Sequence, residues 1–137
     1  TGICVDLVKS HHNLGISGEN GYIVPLNSGA TGKVLLSAQS DELVERLIRN
    51  YPGEEEKLWN QVKEIRQRGY CVSEGEVDEG VAAVAVPLPM PEFIYTLSYS
   101  GPVERLRGLD YTILAQSLQN SVKNILLKAD GKRIEVI

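Results

Sequence analysis

Two β-rich runs separated by four residues constrain this chain more than anything else in it: VAAVAVPL (81–88) and FIYTLSYS (93–100), with PMPE between them. β-Branched and aromatic residues suit a pleated, half-buried surface, and Pro89 and Pro91 exclude a helix across the junction. So short a connection returns the chain antiparallel to itself, because a parallel partner needs a crossover of about a dozen residues or more. Period-two alternation sends Phe93, Tyr95, Leu97 and Tyr99 to one face and Ile94, Thr96, Ser98 and Ser100 to the other. Ser98 and Ser100 therefore stand side by side. A buried hydroxyl without a partner costs about 1–3 kcal/mol, so water or a ligand should satisfy them unless this is the solvent face of an edge strand. The small Ala83 and Ala85 on the preceding strand leave volume for a polar-lined pocket or for a packed helix.

The rest of the chain supplies the layers around such a sheet. GICVDLVKS (2–10) reads as a strand, and the Asn20-Gly21 pair marks a hairpin leading into YIVPL. After Pro25, Ala30, Val34, Leu35 and Ala38 recur at helical spacing, and Ser40 caps a second helix whose first turn holds Asp41 and Glu42. A third helix begins in GEEEK, carries Leu58, Val62 and Ile65 on one face, and stops at Gly69. YCV is a short strand and SEGEVDEG (73–80) an acidic loop. Leu114, Leu118, Val122, Ile125 and Leu126 mark a long amphipathic C-terminal helix. This order predicts a single α+β domain over residues 1–137, with a largely antiparallel sheet and helices packed on it.

The opening of the first internal helix, NSGATGKVLLSA (27–38), invites a phosphate-cradle reading. Its spacing refuses it. Counting back from Gly32-Lys33 puts Asn27 where the first Gly of a P-loop belongs, and Val34 stands where the magnesium-binding Ser or Thr belongs. What survives is a helix start flanked by small residues, whose free N–H groups favour a compact anion or simply begin a helix.

Other chemistries are weaker. The acidic loop lacks calcium-loop spacing, and the adjacent His11 and His12 point to opposite faces of an extended segment, so no metal is expected. G-x-S-x-G and S-x-x-K are absent, which leaves no assembled catalytic set and makes an enzyme the lesser reading: a small standalone catalyst using Cys71 or the acidic loop on a carbonyl or acyl substrate. A net charge of −4, with no basic run beyond GKR (131–133), excludes DNA binding by this chain alone. Two cysteines, with neither a signal-like segment nor a long apolar span, point to a reducing cytoplasm and no membrane. Because Thr1 opens directly on a strand-like run, the chain is expected to be a fragment of a longer protein.

Four stretches, in order and spacing, resemble the effector-binding domain of the IclR family of bacterial transcription regulators: VPLNSGATGKVLLSA, IRQRGYCVSEGEVDEGVAAVAVPL, YTLSYSGPVERL and the C-terminal helix. The resemblance implies a GAF-like sensor with about six antiparallel strands and flanking helices, missing its first helix and its N-terminal winged helix-turn-helix. It implies no cofactor, a small organic-acid effector, often a 2-oxo or aromatic carboxylate, and a homodimer or homotetramer that contacts DNA only through the absent domain. By position, the N–H groups of Ala30 and Thr31 would meet the effector carboxylate, and the hydroxyls of Ser98 and Ser100 would bond the same ligand. Ala83 would line the site, while Asn13 and Ile16 match wall positions that set ligand size. Ser73 stands where many relatives carry an acidic residue, so its polar contact could pass to Glu74.

Overall fold

The sheet at the centre of the molecule is the one those two β-rich runs dictate. In the computed structural model, which describes residues 2–4, 21 and 23–129, β3 (Cys71–Glu74), β4 (Val81–Pro89) and β5 (Ile94–Pro102) form an antiparallel sheet in the order β3-β4-β5. A second sheet pairs β1 (Gly2–Ile3) with β2 (Ile23–Val24), also antiparallel. Gly21, at φ 86°, donates its N–H to the Cys4 carbonyl at 2.6 Å, next to the β1–β2 pairing; the residues flanking the expected Asn20-Gly21 turn lie outside the described residues. The fold is α+β, and the described residues supply five strands rather than six.

Five helices cover the three-stranded sheet. α1 (Ala30–Ser37), α2 (Asp41–Ile48) and α3 (Glu55–Arg68) lie to one side, where Ala30, Val34, Ile65, Cys71 and Ala85 form one buried cluster. Leu26, Leu36, Val44, Ile48, Leu58 and Val62 join the three helices to one another. On the opposite face, Ala82, Val84 and Val86 pack against Leu106 of α4 (Val103–Leu109) and against Ala115, Leu118 and Val122 of α5 (Tyr111–Ala129). Alternation along β4 thus feeds two cores at once.

Local chemistry fixes most boundaries. Ser40 Oγ accepts the Leu43 N–H at 3.3 Å and caps α2, and Gly69 ends α3 in the left-handed conformation at φ 82°. α4 has no counterpart in the sequence reading. Pro102 is its N-cap, and the helix closes within two turns at Asp110, the only described non-glycine residue with positive φ.

One arginine ties the first two helices together. Arg66 donates to the carbonyls of Ser37 (2.9 Å) and Gln39 (2.8 Å) and pairs with Asp41 (2.6 Å), thereby satisfying carbonyls that α1 leaves open at its C-terminal end. Arg66→Ala is expected to destabilise the fold by about 1–2 kcal/mol, with Arg66→Lys recovering only part because a single ammonium nitrogen cannot reach three acceptors that the guanidinium meets with three separate nitrogens. Urea denaturation midpoints at constant slope measure this directly.

Candidate functional site

Strand register decides which polar groups share a face. Ser73 lies opposite Ala83, and Ala83 opposite Ser100, so the three form one row across the sheet. Two residues along, Cys71, Ala85 and Ser98 form the next row. Directly opposed residues project to the same side, and this side faces α1. Ala85 is fully buried beneath the helix, so its small side chain makes room for α1, whereas Ala83 is half-buried. Ser98 and Ser100 are exposed, and the Thr96 hydroxyl, on the same face, is buried without a partner.

The start of α1 is held against this row by a hydrogen bond from the Ala30 N–H to Ser73 Oγ at 3.1 Å. Ser73 is only 7% exposed, so this bond is part of the packed structure. The preceding N–H, of Gly29, donates to Glu76 Oε2 at 2.8 Å, and Lys33, one turn into the helix, donates to both oxygens of the same carboxylate at 2.7 and 2.9 Å. The Ser28 hydroxyl donates to the Glu76 carbonyl at 3.1 Å. The Thr31 N–H has no acceptor among the described residues. Of the donors that this helix start leaves open, those of Gly29 and Ala30 are taken by the chain itself, and those of Thr31 and Gly32 have no acceptor among the described residues.

Gly32 explains how the helix comes so close to the rest of the chain. A Cβ there would lie 1.7 Å from the Pro25 carbonyl oxygen, so the glycine of the Gly-Lys pair serves the seating of α1 and not a phosphate turn.

Electrostatics separate the two glutamates that follow Ser73. Burial pushes the Glu76 carboxyl upward, but Lys33 and the Gly29 N–H outweigh it and hold the group below the usual carboxylate range. Glu74, one residue from Ser73, faces the other side of the sheet, where Arg107 grips it at 2.6 and 2.8 Å and Tyr111 donates a third bond. Arg107 first, then Tyr111, lower its pKa to about 2. Neighbouring strand residues cannot both face α1, so Glu74 points away from the helix start, and Glu76, from the loop, meets it instead. The sequence offered the acidic loop as a source of carboxylates, but neither the burial of Lys33 nor which carboxylate would meet it.

Of the residues singled out from sequence, Ala30, Ser73, Ala83, Ser98 and Ser100 share the α1 side of the sheet, Thr31 lies at the helix start beside them, and Glu74 is apart. Asn13 and Ile16 lie outside the described residues. Burial pushes the Cys71 thiol up to about 11, so it is un-ionised at neutral pH and a poor nucleophile. Among the described residues no three His, Cys, Asp or Glu side chains gather where they could hold a metal ion, and no helix is long and apolar enough to cross a membrane.

The fold of this chain recurs in solved structures of bacterial transcription regulators. An IclR transcriptional regulator from Alicyclobacillus acidocaldarius superposes with a TM-score of 0.77 at 24% identity, over 90% of this chain and 54% of that one. The inducer-binding domain of the PobR transcription factor from Acinetobacter, a double mutant in complex with 3-hydroxybenzoic acid, superposes with a TM-score of 0.65 at 26% identity, over 77% and 69%. Residues 1–127 match the family described as bacterial transcriptional regulator IclR C-terminal, and the chain belongs to that family. Its members are regulators, not enzymes. The HTH-type transcriptional regulator KdgR from Dickeya chrysanthemi is 30% identical over 95 residues, which are 63% of this chain and 31% of KdgR. The chain therefore spans about a third of that curated relative.

Proposed function

We propose that this chain is the ligand-sensing domain of a cytoplasmic bacterial transcription regulator, that it binds a small organic acid between α1 and the Ser73–Ala83–Ser100 row, and that it acts as a homodimer or homotetramer. The observation that carries this reading is the Ala30 N–H bond to Ser73 Oγ, which brings the helix-start donors to the side of the sheet where the Ser98 and Ser100 hydroxyls stand. In this reading the effector carboxylate takes the free Thr31 N–H and the two strand hydroxyls. Asn13 and Ile16, by resemblance, limit its size. The PobR domain with its bound hydroxybenzoate supports the chemical class of ligand.

Binding regulates only through a difference in affinity between two arrangements of the oligomer, since equal affinity shifts nothing. DNA contact belongs to a separate domain, in keeping with the net charge of −4 here.

The first test is thermal denaturation with acetate, 2-oxobutanoate, benzoate and 3-hydroxybenzoate. A carboxylate at about a hundredfold over its dissociation constant should add about 2.7 kcal/mol of stability, an upward shift on the order of 10 °C for a domain of this size. Unchanged melting with all four would remove the reading.

A further inference from the structure

We propose that Glu76 is an internal carboxylate that holds the effector's place at the start of α1, so that effector binding displaces it and releases the loop over residues 75–80. This rests on the sensor reading above and adds to it the device by which occupancy is detected.

The geometry is that of a bound carboxylate. Glu76 takes one main-chain N–H, that of Gly29, and both its oxygens lie within 2.9 Å of the Lys33 ammonium. Those are the interactions a free carboxylate would seek at a helix start with a lysine beside it. The loop lies directly over that start, since a Cβ on Gly29 would come within 2.8 Å of Val77 Cγ2. The Thr31 N–H is two residues from that of Gly29 at the same helix start, so a carboxylate arriving there sets a like charge beside Glu76 and competes with it for the Lys33 ammonium.

Displacement is feasible because each partner has somewhere to go. Lys33 is 4% exposed and cannot be left without a counter-charge, but the incoming carboxylate supplies one. The Glu76 side chain is already 33% exposed and leaves toward water. A cavity of about 90 Å3 lies against the pair, and Gln61, whose buried Oε1 has no partner, lines it and offers the ammonium a further acceptor. The loop is jointed at both ends by glycines in the left-handed region, Gly75 at φ 66° and Gly80 at φ 75°. Within the loop Gly75 donates to the Val81 carbonyl and Val81 to that of Asp78; from outside, the Val103 N–H donates to the Gly80 carbonyl at the fixed end, and the Ser28 hydroxyl donates to the Glu76 carbonyl, a bond that release must break. Glu74 stays fixed to Arg107 and Tyr111 on the far face, so motion begins at Gly75 and is not shared with the strand.

The test compares wild type with Glu76→Gln by calorimetry, using 3-hydroxybenzoate and 2-oxobutanoate as carboxylates and 3-hydroxybenzamide as an uncharged counterpart. The variant is expected to bind the carboxylates at least tenfold more tightly and the amide no differently. Independently, hydrogen exchange on the wild-type protein should show residues 75–80 exchanging faster when carboxylate is saturating, although a ligand ordinarily slows exchange around its site. Equal or weaker carboxylate binding by the variant overturns the proposal, as does unchanged or slower exchange over 75–80. Should Glu76→Gln fail to fold, wild-type exchange decides alone. If neither these two carboxylates nor acetate or benzoate binds either protein, the sensor reading itself falls and takes this device with it.

Discussion

Replacing Ser98 and Ser100 together by alanine is expected to weaken binding of a small carboxylate at least tenfold while leaving the fold intact. Both side chains are exposed, and exposed substitutions of this kind change stability by about 0.5 kcal/mol or less. Each hydroxyl would donate to an ionised oxygen, an interaction worth about 1.5–3 kcal/mol net, so the loss of even one exceeds the 1.4 kcal/mol that corresponds to tenfold. The two positions are two residues apart on β5 and pair with Ala85 and Ala83, whose small side chains leave the hydroxyls reachable from the α1 side. Calorimetry at fixed ionic strength gives the affinity, and the melting temperature of the unliganded variant shows that folding is unaffected. An unchanged dissociation constant for the double variant would place the ligand elsewhere.

The second large effect concerns the seating of α1. Gly32→Ala is expected to cost about 3 kcal/mol or more, at the upper end of the range for overpacking, and to lower the melting temperature by about 10 °C. The added Cβ would sit 1.7 Å from the Pro25 carbonyl oxygen, 2.8 Å from its carbon and 3.1 Å from Leu26 Cα, all main-chain atoms with no rotamer to change. The helix must then move off the 25–26 segment, and the Ala30 and Gly29 N–H groups move with it away from Ser73 and Glu76. Gly108→Ala in α4 is the matched control. Its Cβ would meet nothing within 4 Å, so it should be neutral or stabilise by up to about 1 kcal/mol through helix propensity. If Gly32→Ala melted no lower than that control, the close approach of α1 to Pro25 would be wrong.

The difference between these two glycines illustrates what the chain makes legible and what it hides. Gly32 and Gly108 both lie inside helices of the structure, and nothing within a few residues of either distinguishes them. Only the approach of Pro25, from a segment outside the helix, makes one of them irreplaceable. The serines behaved differently. Their common face follows from strand period alone, and the register Ala85–Ser98 and Ala83–Ser100 places them as that period requires.

Helix ends follow the same division. Ser40, Gly69 and the acidic first turn of α2 act within a few residues of themselves and could be read directly. α4 could not, because its start at Pro102 depends on the turn that the β5 edge makes toward Leu106.

Sequence alone determined the α+β class, the antiparallel pairing, the core face of α3 and the pair of hydroxyls, because each rests on period or on chemistry local to a few residues; on α1 the structure buries Leu36, Lys33 and Ser37 where Leu35 and Ala38 were expected. Tertiary structure alone decided that Glu76 and not Glu74 meets the start of α1, that Ser73 is bonded to Ala30, and that Lys33 is buried. The reason is physical: a charge buried on one element has no stable neutral alternative nearby and must find its partner across space, and no periodicity along the chain records which of several carboxylates that partner is.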